Sequence, residues 1–187
     1  YITNAPTVDI NASTAVTVDG PAVTIADSAD GKPVLTVKTT HTTTASSSEL
    51  QFLKDAADTQ DGEVLGQITF FGEDEGNNNT GFAKIVASIS ESDEGDEAGK
   101  LQFFVAESDS TTTALTAGLT IEGEHATDGE IDVTIGAGAA STVTIPGTMD
   151  IAGAVDIAGD LTLSAGGDGA LVFGNAGENS IKIPDGQ

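Results

Sequence analysis

The sequence predicts an all-β protein, in which an antiparallel β-sandwich or jelly-roll-like domain is flanked by intertwined trimeric β-stem segments of the triple β-helix type. Valine, isoleucine and threonine recur in short alternating stretches, and 23 glycines are available for the turns between them. β-Branched residues suit the pleated surface of a strand, and glycine adopts turn dihedrals that other residues avoid. Aromatic residues make up only 4% of the 187 residues, so we expect an aliphatic core.

The charge balance argues against several kinds of partner. The chain has 30 acidic residues, 6 lysines and no arginine, which gives a formal net charge of -24. Nucleic-acid binding needs clustered lysine and arginine, so we expect no nucleic-acid partner. No apolar run approaches the roughly 20 residues of a membrane span, so we expect no membrane insertion. The absence of cysteine excludes disulfides, thiolate metal sites and cysteine nucleophiles.

Residues 1–31 are predicted to form an N-terminal β-stem segment. Three apolar-polar-apolar triplets occur here, Val8-Asp9-Ile10, Val16-Thr17-Val18 and Val23-Thr24-Ile25. Alternation of period two gives a strand one apolar face. These triplets are too short and too few to bury that face by themselves.

Residues 32–124 are predicted to form the sandwich-like domain. Longer apolar stretches carry six of the 7 phenylalanines of the chain and are separated by polar turns. Their spacing is typical of antiparallel sandwiches. The predicted strands lie at 33–40, 48–55, 65–74, 81–90, 99–108 and 114–123. The predicted core residues are Phe52, Phe70, Ile85, Ile89, Leu101 and Phe103.

Residues 125–187 are predicted to form a C-terminal stem. The stem is built on a six-residue repeat that covers 143–163, and we call its repeating units the hexads. Each hexad has an apolar-polar-apolar triplet, and glycine stands at 147, 153 and 159. Ile131-Asp-Val133-Thr-Ile135 precedes the repeat with the same alternation. The apolar positions of the hexads are Val143, Ile145, Met149, Ile151, Val155, Ile157, Leu161 and Leu163.

Several structures could produce this period. A left-handed parallel β-helix needs about three or more repeats to cover its ends, and the hexads span about one turn. A calcium-binding nonapeptide solenoid needs an aspartate where this chain has Leu171. A third arrangement takes the other two sides of each triangular turn from identical chains. The eight apolar residues then form the core of a homotrimeric stem, with Asp150, Asp156 and Asp160 facing water. A flexible tail is the remaining alternative, and the strict phase of the repeat argues against it.

Candidate residues for chemistry are few. His41 and His125 lie far apart in polar surroundings and are interpreted as surface or turn histidines. The acidic loops at 73–75 and 91–97 could collect Ca²⁺, but their spacing differs from that of an EF-hand and favours solvated turns. Paired carboxylates could cleave glycosides, yet with no Trp and 1 Tyr the chain offers no platform for stacking sugars. We therefore predict no enzymatic activity, no catalytic residue and no cofactor.

The middle of the chain also carries three motifs in order. A strand ends in Phe-x-Gly-x-Asp at Asp74, an Ala-x-Ile-x-Ala-x-Ile strand covers Ala83 to Ile89, and Gly-Lys-Leu-x-Phe covers Gly99 to Phe103. This pattern resembles the β-domain common in tail fibres and tail spikes of bacteriophages. The closing "GALVFGNAGENSIKIPDG" is similar to linker repeats in fibres of marine phages. The resemblance extends over residues 50–187.

The resemblance implies a homotrimeric tail fibre segment, extracellular in the virion, that mediates or supports attachment to the host cell. Its partners would be other virion proteins of the tail or capsid, and a glycan or protein receptor on the host surface. The alternatives are a capsid head fibre or decoration protein, a polysaccharide-degrading tail spike and a bacterial surface adhesin. Nothing in the chain matches the catalytic part of the self-cleaving chaperone that many such fibres carry.

Overall fold

The described part of the chain is all-β. A computed structural model describes residues 15–28, 31, 33–45, 47–109, 111–125 and 129–159, and these residues contain strands but no helix. The five strands are β1 (Val64–Glu73), β2 (Asn79–Glu91), β3 (Ala98–Ser108), β4 (Thr113–Gly123) and β5 (Ile131–Ile135).

The strands form one antiparallel sheet in the order β1-β2-β3-β4-β5, so each strand pairs with the next along the chain. Tight turns make this meander possible. Between β1 and β2, Asn77 adopts a left-handed conformation with φ of 59°, which asparagine tolerates better than most residues. Gly95 takes φ of 87° between β2 and β3, where a side chain would strain the backbone.

Four of the six predicted strands are confirmed. The stretches 81–90, 99–108 and 114–123 fall within β2, β3 and β4, and 65–74 extends one residue beyond the end of β1 at Glu73. The strands predicted at 33–40 and 48–55 are wrong, because the described residues of these stretches pair with no neighbour. The alternating stretch at 131–135, which the sequence groups with the C-terminal segment, forms β5 and pairs with β4 from Leu119↔Ile135 to Gly123↔Ile131. The predicted boundary between 124 and 125 therefore falls between two paired strands.

The register aligns side chains in rows that run across the whole sheet. Because side chains alternate along a strand, every second row lies on the same face. One row contains Ile68, Ile85, Phe103, Leu119 and Ile135. The next row points to the opposite face and contains Gln67, Val86, Gln102, Thr120 and Thr134. The third row returns to the first face with Gly66, Ala87, Leu101, Ile121 and Val133.

The predicted core does not form within one chain. Phe52, Phe70 and Phe103 are 52%, 52% and 37% exposed, and Ile85, Ile89 and Leu101 are only half-buried. Among the described residues, Val86 is the buried hydrophobic residue and Ser88 the buried polar one. The physical reason is that these residues build a single layer, whereas a β core needs a second layer packed on the first.

The chain divides into two units between Ser141 and Thr142. The first contains the sheet. In the second, residues 142–159 are described, and all of their side chains are exposed. Their backbone forms no helix or strand and bends at 146–147, 152–153 and 158–159.

Candidate assembly surfaces

The first surface of interest is one side of the sheet, which we call the apolar face. It consists of the row that contains Ile68, the row that contains Ala87, and the next row on the same side of the sheet beyond each of them. Its side chains belong to Ile68, Phe70, Ala83, Ile85, Ala87, Ile89, Leu101, Phe103, Val105, Leu119, Ile121, Ile131, Val133 and Ile135. None of these residues carries a charge or a hydrogen-bonding side chain. At the margin of this face, next to Val105, Thr116 donates a hydrogen bond from its hydroxyl to Glu107 Oε1 at 3.2 Å.

Much of the apolar face is open to solvent in one chain. On the edge strand β5, Val133 and Ile135 are 57% and 60% exposed. Five strands about 4.8 Å apart and seven residues rising about 3.4 Å each give a face of roughly 24 by 24 Å. This area is at the upper end of the about 300–600 Å² found for the largest apolar patch on a typical monomer. Patches of this size are often functional.

The opposite face of the sheet is mixed, because it carries Val86 and Phe104 together with polar and charged side chains that pair with one another. Lys100 Nζ lies 2.8 Å from Glu122 Oε1, and the Ser90 hydroxyl donates a hydrogen bond to the same carboxylate. These two hydrogen bonds, that from Lys100 first, lower the pKa of Glu122. Lys84 Nζ stands 4.5 Å above the centre of the Phe104 ring, a favourable cation–π distance.

One segment outside the strands partly covers the apolar face. The Phe52 side chain packs over Gly66 so closely that a Cβ at residue 66 would lie 2.7 Å from Phe52 Cβ. Lys54 Nζ makes an ion pair with Glu63 Oε2 at 3.0 Å, just before β1. Phe52 therefore occupies the space that a side chain on β1 would take, and most of the apolar face remains uncovered.

The second surface consists of the hexads. Within the described range, the predicted stem residues Val143, Ile145, Met149, Ile151, Val155 and Ile157 are all exposed. Each backbone bend includes a hexad glycine, 147, 153 or 159. Leu161, Leu163 and Asp160 lie outside the described residues. Asp150 and Asp156, predicted to face water, are exposed as well.

No known protein family, curated protein or solved structure matches this chain. Its function must be inferred from its own surfaces. In the part of the chain that the structure describes, no helix is long and apolar enough to cross a membrane.

In the turns after β1 and after β3, an aspartate side chain accepts hydrogen bonds from the backbone of its own turn. Asp74 Oδ1 accepts hydrogen bonds from the backbone N–H groups of Gly76 at 2.8 Å and Asn78 at 2.9 Å, and the backbone hydrogen bond from Asn78 is the largest cause of its lowered pKa. Asp109 binds the backbone of Thr111 and Thr112 in the same way. Across the described residues, no group of three or more histidine, aspartate or glutamate side chains could hold a metal ion. These observations place the two carboxylates inside their own turns.

His125 lies two residues after the end of β4, near carboxylates at the end of β2 and in the loop that follows β2. Its Nδ1 is 3.4 Å from Asp96 Oδ2 and 4.0 Å from Glu91 Oε2. The hydrogen bond with Asp96 raises the pKa of His125, and the charges of Asp96, Glu91 and Glu124 add to this effect. His41 Nδ1, in contrast, lies 3.0 Å from the hydroxyl of its near neighbour Thr43.

Sequence reasoning missed two features of these surfaces. The sequence predicts that Leu101 and Phe103 of β3 belong to a closed core, although apolar residues at every second position are equally typical of a sheet with one open face. The proximity of His125 and Asp96 was not anticipated, because 29 residues separate them. The alternation Leu101, Phe103, Val105 on β3, matched by Ile131, Val133, Ile135 on β5, is the signal that could have revealed the apolar face.

Proposed function

We propose that this chain is a segment of a homotrimeric fibre of the kind found on bacteriophage tails, with a mechanical role in host-cell attachment. The observation that carries the proposal is the geometry of the hexads. Their backbone bends at every sixth residue, at a glycine, and the apolar pairs between the bends are exposed in one chain. A segment with this pattern needs partners that repeat with the same period.

Identical chains meet that need. If three copies wrap around one axis, each hexad forms one side of a triangle, and its apolar pair points inward. Full burial of one such side chain contributes about 1.5–3 kcal/mol. Wrapping also pairs the strand edges that would otherwise promote aggregation. A single copy of 142–159 has no comparable source of stability among its described neighbours.

The charge of the chain is compatible with this arrangement. Three chains of formal charge -24 each would repel one another if their carboxylates met. Asp150 and Asp156 immediately precede the apolar Ile151 and Ile157, so alternation turns the carboxylates outward when the isoleucines point inward. Charge on the outside keeps such a stem soluble.

The resemblance to phage fibre domains supports the proposed setting. The three motifs fall on the first turn of the sheet at Asp74, on β2 from Ala83 to Ile89 and on β3 from Gly99 to Phe103. In this proposal the fibre is extracellular in the virion tail. Its partners are neighbouring virion proteins and a glycan or protein receptor on the host surface. The sandwich-like second layer and the triple β-helix then arise between chains.

Immunoelectron microscopy of the virion that encodes this chain tests the proposal. An antibody raised against the purified chain should label thin fibres that leave the tail. Preimmune serum on the same particles is the control. Labelling of fibres on the head would replace the tail assignment by the head-fibre alternative, and the absence of label from intact virions would overturn the proposed function.

A further inference from the structure

We propose that the apolar face of the sheet is a second contact between copies of this chain, at which the sheets of three chains pack against one another. The inference rests on the proposed trimer and adds to it a specific interface. The sheet is then a required part of the assembly, and the sheet of each chain forms one side of a three-sided apolar core.

Charge distribution favours a second copy as the occupant. The charged residues in the central rows, Lys84, Lys100, Glu122 and Asp132, lie on the opposite face. The central rows of the apolar face carry no charge, and Glu107 lies only at its margin, beyond Val105. Two chains of formal charge -24 meet at the lowest electrostatic cost through a neutral surface. A basic partner, which such an acidic chain would otherwise attract, would gain nothing from this face.

The dimensions of the face fit three copies. A triangle whose sides are sheets about 24 Å wide has its centre about 7 Å from each backbone, close to the reach of Leu and Phe side chains. One face offers roughly 580 Å², less than the about 800 Å² that each partner buries in a standard stable interface. The face is therefore too small to hold an unrelated partner firmly on its own.

Chain connectivity supplies the missing stability. Residues 136–142 are all that separates the end of β5 at Ile135 from the first hexad residue, Val143. Once hexads of three chains have joined, the three sheets are tethered at high effective concentration, and contacts too weak to form alone become populated. This tether favours a copy of the same chain over any free protein in solution.

The absence of cysteine from the chain allows a clean test with single-cysteine variants of the full chain. Val133→Cys and Thr134→Cys place a thiol on neighbouring positions of β5, both exposed in one chain but on opposite faces. We expect maleimide to label Thr134→Cys rapidly and Val133→Cys slowly under native conditions, and both at the same rate in urea. Equal native rates would overturn the inference. Val105→Cys, also on the apolar face, replaces Val133→Cys if that variant does not fold.

Phe103→Cys, at the centre of the face, distinguishes a second copy from another segment of the same chain. A short bismaleimide should join two chains through this position, since the three central strands lie about 12 Å apart in the proposed arrangement. Gln102→Cys, its neighbour on the opposite face, should give no two-chain product. If the parent protein has the mass of three chains but Val133→Cys is labelled rapidly and Phe103→Cys gives no two-chain product, the inference fails and the proposed fibre stands. If the parent protein is a monomer, the proposed function itself fails.

Discussion

At the scale of single residues, His125 gives the sheet a defined response to pH. Its raised pKa results first from the hydrogen bond with Asp96, and then from the surrounding carboxylates. A histidine whose pKa is higher in the folded state stabilises the fold fully below its unfolded pKa, and the stabilisation is lost as pH rises through the folded pKa. Because His125 is half-exposed, solvent screening keeps the effect small.

We therefore expect NMR titration of His125 to give a midpoint above its usual value of 6.5. Asp96→Asn should lower that midpoint, because it removes the principal partner. His125→Gln should abolish the corresponding loss of stability as the pH is raised above 6.5. A midpoint at or below 6.5 in the parent protein would contradict the contact between Nδ1 and Asp96.

Turn residues show what can be predicted at this scale. The loop at 73–75 was interpreted as a solvated turn instead of a calcium site, and Asp74 does bind the backbone of its own turn. Local sequence suffices here because the partners of Asp74 lie within four residues. The environment of His125 depends on a contact between two separate loops, and no local pattern encodes it.

At the scale of elements, the hexads offer the sharpest contrast between neighbouring positions. Ile145 should point toward the axis of the proposed trimer, and Thr144 away from it. Ile145→Asp buries a carboxylate three times around the axis, which is costly without partners, so we expect loss of the trimer on size-exclusion chromatography with light scattering. Thr144→Asp introduces the same charge one residue away and should leave the trimer intact. Equal behaviour of the two variants would contradict the assigned alternation.

Alternation predicted four strands of the sheet but could not identify their partners. Segments 33–40 and 48–55 have strand-like composition, yet Val34 and Leu35 remain exposed and unpaired in the described structure. Residues 131–135 have the same apolar-polar-apolar pattern as the hexads, and they join β4. Strand propensity is a local property, whereas pairing is decided by which neighbour the chain can reach.

At the scale of the whole molecule, the composition predicted the all-β class but could not predict the number of sheet layers. A sandwich and a one-layer sheet with an open face need the same alternating strands. They differ in where the second layer comes from, which is a property of the assembly. The exposed Phe70 and Phe103 and the exposed apolar residues of the hexads are explained together if other copies of the chain supply that layer.

Native mass spectrometry of the purified full-length chain tests this explanation most directly. We predict a single species with three times the 18.7 kDa mass of one chain, which persists on dilution and yields monomers only after denaturation. A species that remains at the mass of one chain across the accessible concentrations would contradict the account, because one copy would then have to keep both apolar surfaces exposed to water.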